Sequence, residues 1–321
     1  MKLNYINKIK ANISIFSTKK TTNILEGTYK SVYKGKSMNF ENLREYVIND
    51  DIKDIDWKSS ARTGTLLVKQ FISEKKHNIM LLMDTGAKMD ADTDMHESKK
   101  EIALYTAGTI GYLAIKNSDY IGMIYSKENG IQYEPFRYNL YNLEQYLENY
   151  DKYAFSGGTN INDICEYIYK NINKRMIIFI ITDLAGLDSI ESKKLKQLSQ
   201  IHDVLIININ DNYMFGHDIY DIHDNDYIPE MLLKDKKLNN IENEIRSELL
   251  KKNKNKLKKN NISMTSISSI KDINSQIIGL LEEHRYASSK WFKTNVFLFS
   301  FIYNYYYSYY CYFNSFIKSW F

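Results

Sequence analysis

The amino-acid sequence predicts an α/β protein built on a doubly wound, mostly parallel sheet. Three observations carry this. Two apolar runs, HNIMLLMD at 77–84 and RMIIFIITD at 175–183, each close on an acid, as buried central strands do when their carboxyl ends meet at a site. Between them, residues 97–116 repeat apolar positions at helical spacing. Strand-like and helix-like segments then keep alternating to residue 210, which implies parallel strands joined by right-handed crossovers.

Taken in order, the segment 97–116 predicts a helix with Ile102, Tyr105, Thr106, Thr109, Tyr112 and Leu113 on one face. DYIGMIYS at 119–126 reads as a strand, and GIQYEPF at 130–136 as its hairpin partner or an edge, since Pro135 suits a strand end. LYNLEQYLENY and INDICEYIYKNI read as helices with SGGTN as the loop between them. A polar-faced helix is expected over 189–200 and a strand over 202–210. The basic tract 234–259 carries Ile241, Ile245 and Leu249 at four-residue spacing, which predicts an amphipathic helix with a solvated lysine end. The segment 270–284 reads as a helix closing the domain against the sheet.

Ahead of these elements, FENLREYVINDDIKDIDWKSSARTGTLLVKQFISE at 40–74 interleaves Arg44, Lys58, Arg62 and Lys69 with Glu45, Asp50, Asp51, Asp54 and Asp56, around Tyr46 and Trp57. From the residues alone it reads as an ion-pair lattice, partly buried and fixed by Trp57, or as a partner-binding surface. No nucleophile stands beside a base; Lys58, Ser59 and Ser60 are too common a trio to argue catalysis. The order of an LR-Y, a paired acid, an IDWK-SAR and an L-VK-F---E closely resembles the signature of the prokaryotic family called domain of unknown function 58. Lys53 stands where that family usually has Arg, and Gly27, Ser31 and Gly35 extend the likeness upstream.

An acid after the first strong strand, SGGT in a mid-chain loop and an acid after a later strand are together similar to von Willebrand factor A domains, and the family resemblance implies the same fold. In such domains a D-x-S-x-S turn, a distant Thr and a distant Asp build a metal-ion-dependent adhesion site at the carboxyl edge of the sheet, with hard oxygen ligands for magnesium. The resemblance assigns Asp84, Thr159 and Asp183 to it, but Gly86 and Lys88 stand where the two serines belong. Glycine brings no side-chain oxygen, and lysine brings an ammonium able to neutralise Asp84 and Asp183. The expectation is a degenerate site with no cofactor; the alternative is that Lys88 swings to solvent while Thr85, Thr159 and water hold a weak magnesium ion. A plain reading is that Asp84 and Asp183 only cap the turns that follow them.

Composition narrows the rest. The chain has 321 residues, 43 basic and 39 acidic, so its charge makes no case for nucleic acid. Cys165 and Cys311, far apart, suit a reducing cytoplasm rather than a disulfide framework. The amino end lacks the apolar core of a signal peptide. The acidic, histidine-containing stretch 211–226 has no strong metal-ligand spacing and reads as a connecting loop. The uncharged, tyrosine-rich run 297–317 is long enough to cross a bilayer, although tyrosine belongs at the interface. It reads as a membrane contact, as an aggregation-prone strand former in need of a partner, or as the product of a reading-frame slip.

These readings divide the chain into a signature region at 1–75, an A-like domain at 76–286 and an aromatic tail at 287–321. The resemblance implies a protein encoded beside MoxR-type AAA+ ATPases and working as an adaptor or chaperone partner, not as an enzyme. It would be cytoplasmic, or held at the inner face of the membrane. Two alternatives stand beside it. One is a metal-dependent hydrolase using Asp84, Asp183 and the 217–226 cluster; the other is a membrane-surface structural protein anchored by its tail.

Overall fold

A computed structural model describes residues 4–16, 25, 27–29, 42–47, 55–70, 76–128, 130–155, 157–158, 160–212, 220–221, 226–227 and 236–284. The strands of the signature region are β1 (Asn42–Glu45) and β2 (Leu67–Gln70), paired antiparallel. The main sheet holds β3 (Asn78–Met83), β4 (Tyr120–Lys127), β5 (Gly130–Arg137), β6 (Ile177–Asp183) and β7 (Asp203–Ile209). A two-residue pair, β8 (Tyr220–Asp221) and β9 (Asp226–Tyr227), stands apart, and β10 (Ser263–Ile267) completes the main sheet.

The order across the main sheet is β10-β7-β6-β3-β4-β5, with every neighbour parallel except the β4–β5 hairpin. This is a doubly wound order. The chain starts in the middle at β3, winds outward through β4 and β5, then returns to β6 and winds the other way. The direction therefore reverses between β3 and β6, the point where such sheets place their sites. Both of these strands are buried along their whole length, which is why they read as unbroken apolar runs.

Alternation along the strands sorts side chains into two cores. Ile79, Leu81 and Met83 with Ile177, Phe179 and Ile181 face one layer, which contains helices α1 (Asn4–Phe16), α3 (Lys99–Lys116), α4 (Leu140–Asp151) and α9 (residues 273–284). Met80 and Leu82 with Ile178 and Ile180 face the other, which contains α5 (Ile161–Asn171), α6 (Leu184–Ser189), α7 (Ser192–Ile201) and Leu257 of α8 (Lys236–Lys258). The short helix α2 (Trp57–Thr63) lies between β1 and β2.

Helix α1, at residues 4–16, was not expected from the sequence, and it packs against elements that follow residue 75. Its Ile6, Ile9 and Ile13 belong to the same core as the sheet. Two features seat it. Buried Glu144 of α4 accepts the backbone N–H groups of Tyr5 and Ile6 at 2.7 and 2.8 Å, a carboxylate placed at the positive end of the helix. Gly108 of α3 makes the notch for Ile9, where an added Cβ would lie 2.0 Å from its Cδ1. Packed under α1 on one side and over the sheet on the other, α3 is buried on more than the single face its sequence suggests.

Two further expectations shift. The strand β10, too short and polar to stand out, forms the parallel edge beyond β7. Helix α8 exists, but Ile241 and Ile245 are exposed on it, and the domain is met instead by Arg246, Asn253 and Leu257. The aromatic tail lies outside the described residues. Among those that are described, no helix is long and apolar enough to cross a membrane.

Candidate functional site at the carboxyl edge of the sheet

Asp84 and Asp183 stand at the same edge, one residue past β3 and at the last residue of β6. They are 2% exposed each. The backbone N–H of Asp84 donates to the Ile181 carbonyl at 3.1 Å, which extends the β3–β6 ladder into the site. Asp84 Oδ1 accepts from the N–H of Gly86 at 2.9 Å, and its Oδ2 from the hydroxyl of Thr182 at 2.6 Å. The hydroxyl of buried Tyr150 donates to the Asp84 carbonyl at 2.6 Å. Asp183 Oδ1 accepts from the N–H of Gly186 at 2.8 Å, capping α6. The capping role read from the sequence is thus present at both acids, alongside contacts it did not foresee.

The remaining Asp183 oxygen takes a lysine, but not the expected one. Lys88 is exposed in a 3₁₀ turn, Ala87–Asp90, whose Met89 occupies the interior. Lys99, only 2% exposed at the start of α3, donates from Nζ to Asp183 Oδ2 at 3.2 Å and also to Asp211 Oδ1. Helix phase decides between the two. Lys99 falls on the buried stripe of α3 with Ile102 and Thr106, whereas the turn at 87–90 points residue 88 outward.

Around this pair the edge is tied to the rest of the fold. Arg246 of α8 donates to the carbonyls of Asp211 (3.1 Å) and Asn212, and to Glu242 Oε1 at 2.9 Å. Burial pushes the Asp211 carboxyl above its ordinary range, with the like charge of Asp183 acting in the same sense and Lys99 opposing both. Gly186 is obligatory by close approach, because a Cβ there would lie 2.0 Å from Thr182 Oγ1 and 2.5 Å from Asp84 Oδ2. Beside Asp211 opens a cleft of about 270 Å³ lined in part by Asp94, Asn208, Asn210 and Arg246. Of the functional residues missed by the sequence reading, Lys99 left the clearest signal: a charged residue in phase with an apolar helical stripe.

The residues present fit a divalent ion poorly. All four carboxylate oxygens of Asp84 and Asp183 already accept hydrogen bonds from this chain. Position 86 offers no side-chain oxygen, and Lys88 is exposed. Among the described residues, no group of three or more His, Cys, Asp or Glu side chains is placed to hold a metal. Thr159, the remaining expected element, and the 217–226 cluster except for the backbone of three residues lie outside the described residues.

The signature region is organised differently. Asp56 caps α2 through the Ser59 N–H at 3.0 Å, and Gly64 ends the helix in the left-handed region at φ 77°. Ser60 is a structural hydroxyl, donating to the Asp56 carbonyl at 2.8 Å and accepting from the Leu67 N–H at 2.8 Å. Ile55 and Val68 are buried beneath. Trp57, which the lattice reading would place in a partly buried network, is 62% exposed, and Asp54 of that lattice lies outside the described residues. Lys58 and Arg62 are exposed on α2, while Arg44 and Tyr46 are half-buried, with Arg44 donating to the Glu45 carbonyl at 3.2 Å. Lys69 is placed only as backbone in β2, and Asp50 and Asp51 lie outside the described residues.

Sheet order, antiparallel edge and the crossover at the switch point define a von Willebrand factor A-like α/β fold. Residues 42–214 match the family described as "Protein of unknown function DUF58", and the chain belongs to that family. An uncharacterized protein of Mycobacterium tuberculosis is 25% identical over 118 residues, covering 37% of this chain and 37% of its own length. One from Mycobacterium bovis matches to the same extent, so the chain spans 37% of the length of these relatives. Among solved structures, the chain is similar to an aerotolerance-related membrane protein from Bacteroides fragilis (15% identity, 64% of this chain and 99% of that one, TM-score 0.40). It is also similar to a von Willebrand factor type A protein from Catenulispora acidiphila (9%, 66% and 43%, TM-score 0.38).

Proposed function

We propose that this protein is a non-enzymatic adaptor that docks a MoxR-type AAA+ ATPase through the outer surface of its signature region. The observation that carries this is the exposure of Trp57. Backbone hydrogen bonds from Tyr46 to Leu66 (2.9 Å) and from Asp56 to Leu67 (2.8 Å) bring Val47, Leu66 and Trp57 to one end of the hairpin. All three are exposed, at 61, 48 and 62%. Lys58 and Arg62, one helical turn apart, add positive charge to the same helix. An exposed tryptophan flanked by cations is the composition of a binding anchor, since Trp and Arg concentrate the energy of protein interfaces. A hydrolase reading draws less support, because the edge acids are engaged in holding the fold.

The test is direct binding of the full-length chain to a MoxR-type ATPase from the same genome, measured by calorimetry with and without ATP. Trp57→Ala, and separately Lys58→Glu with Arg62→Glu, are expected to weaken binding by about 10-fold or more, as loss of a central anchor does. Variants that bind like the parent would remove this surface from consideration, and an ATPase that never binds would end the adaptor reading.

A further inference from the structure

We infer that the carboxylates at this sheet edge form a cation site that the chain fills itself, with the ammonium of Lys99 in place of a divalent metal. Asp183 and Asp211 each direct an oxygen at one nitrogen, and that nitrogen is almost fully buried. A carboxylate as buried as that of Asp183, with the partly exposed one of Asp211 beside it, demands a counter-charge, and a lysine is buried there only when such partners compensate its own desolvation. The position is therefore selected for a cation, and the tether of α3 supplies one at an effective concentration that a free ion does not match.

The consequence is specific to Lys99 and not to the two missing serines. As long as its ammonium sits against Asp183 and Asp211, a metal ion entering there would have to displace it and would leave a buried, unpaired lysine. Removing the charge while keeping the side-chain volume opens the same oxygens to an external ion. Calcium is the better probe than magnesium, because it accepts irregular oxygen geometry. The inference stands on the edge geometry alone and is independent of which protein docks on the hairpin.

Thermal melts of the full-length parent, Lys99→Met and Lys99→Arg in chelator, magnesium or calcium test it. The parent and Lys99→Arg are expected to melt at the same temperature in all three, whereas Lys99→Met melts lower in chelator and regains part of the loss in calcium. Adding Asp183→Asn to Lys99→Met should abolish that recovery. Should Lys99→Met be too unstable to purify, it is refolded from denaturant with and without calcium, and recovery only with calcium carries the same meaning. A Lys99→Met chain that ignores calcium in melting or refolding overturns the inference, as does a parent chain that binds magnesium or calcium with Lys99 intact.

Discussion

The signature hairpin and the carboxyl edge of the sheet invert the usual relation between a motif and a site. The hairpin holds the most family-specific residues, yet Trp57, Lys58 and Arg62 face solvent and support little of the fold. The edge holds the acids that the family resemblance assigns to an adhesion site, yet here they are buried and hydrogen-bonded within the chain. Asp84 and Asp183 spend their oxygens on Gly86, Thr182, Gly186 and Lys99. Exposure and satisfaction, more than residue type, separate a surface available to a partner from a polar cluster that holds the sheet together.

The comparison is tested hardest at Asp183. Asp183→Ala removes one partner of a nearly buried ion pair together with the cap of α6, leaving Lys99 with Asp211 alone. A destabilisation of about 3–5 kcal/mol is expected, the range for breaking a buried pair from one side. Urea denaturation measures it; a loss below about 1 kcal/mol would place the edge in the class of weak surface pairs and reopen it as a functional centre. Next in size is Gly186→Ala, which forces a Cβ against Thr182 and Asp84, two short side chains with no room to swing away. Overpacking of this kind costs about 1–3 kcal/mol, read in the same assay.

A smaller effect is expected on pH. His202 is buried, and neither ring nitrogen has a hydrogen-bond partner among the described residues. Burial, reinforced by Arg175, holds its pKa below the ordinary 6.5. The folded chain keeps the ring neutral while the unfolded chain takes a proton, so stability is complete above about pH 6.5 and falls as the pH drops toward the folded value. The slope from this one group is at most about 1.4 kcal/mol per pH unit. Chemical denaturation of the parent and His202→Gln through this window isolates it, because only the parent should carry the extra slope.

What was legible in the sequence follows the same division between local and distant causes. The strands β3, β6 and β7 announced themselves because burial on both faces leaves an unbroken apolar run, and the paired acids fell at one edge because parallel strands end together. Lys99 was passed over for Lys88 because motif alignment ranks residues by distance from Asp84, whereas helix phase decides which lysine turns inward. Helix α1 was missed because its seat is made elsewhere, by Gly108 and Glu144, more than ninety positions along the chain. On α8 the aliphatic stripe suggested the buried face, but the carbonyls of Asp211 and Asn212 recruit Arg246 and turn Ile241 and Ile245 outward.

The smallest expected effect on stability is also the one that separates the two regions most cleanly. Trp57→Ala deletes the largest side chain of the signature, and for a core residue of that size the cost would be about 3–5 kcal/mol. At 62% exposure the ring has little packing to lose, and α2 keeps its Asp56 cap, its Gly64 terminus and the Ser60 bridge to Leu67. The change in unfolding free energy should therefore stay within about 0.5 kcal/mol, while Ile55→Ala, two residues away and buried, should cost about 2–5 kcal/mol. Paired urea curves for the two variants decide the matter. If Trp57→Ala proves as costly as Ile55→Ala, the ring is a structural member of the hairpin. The signature would then owe its specificity to folding, and the interaction surface would have to be sought elsewhere.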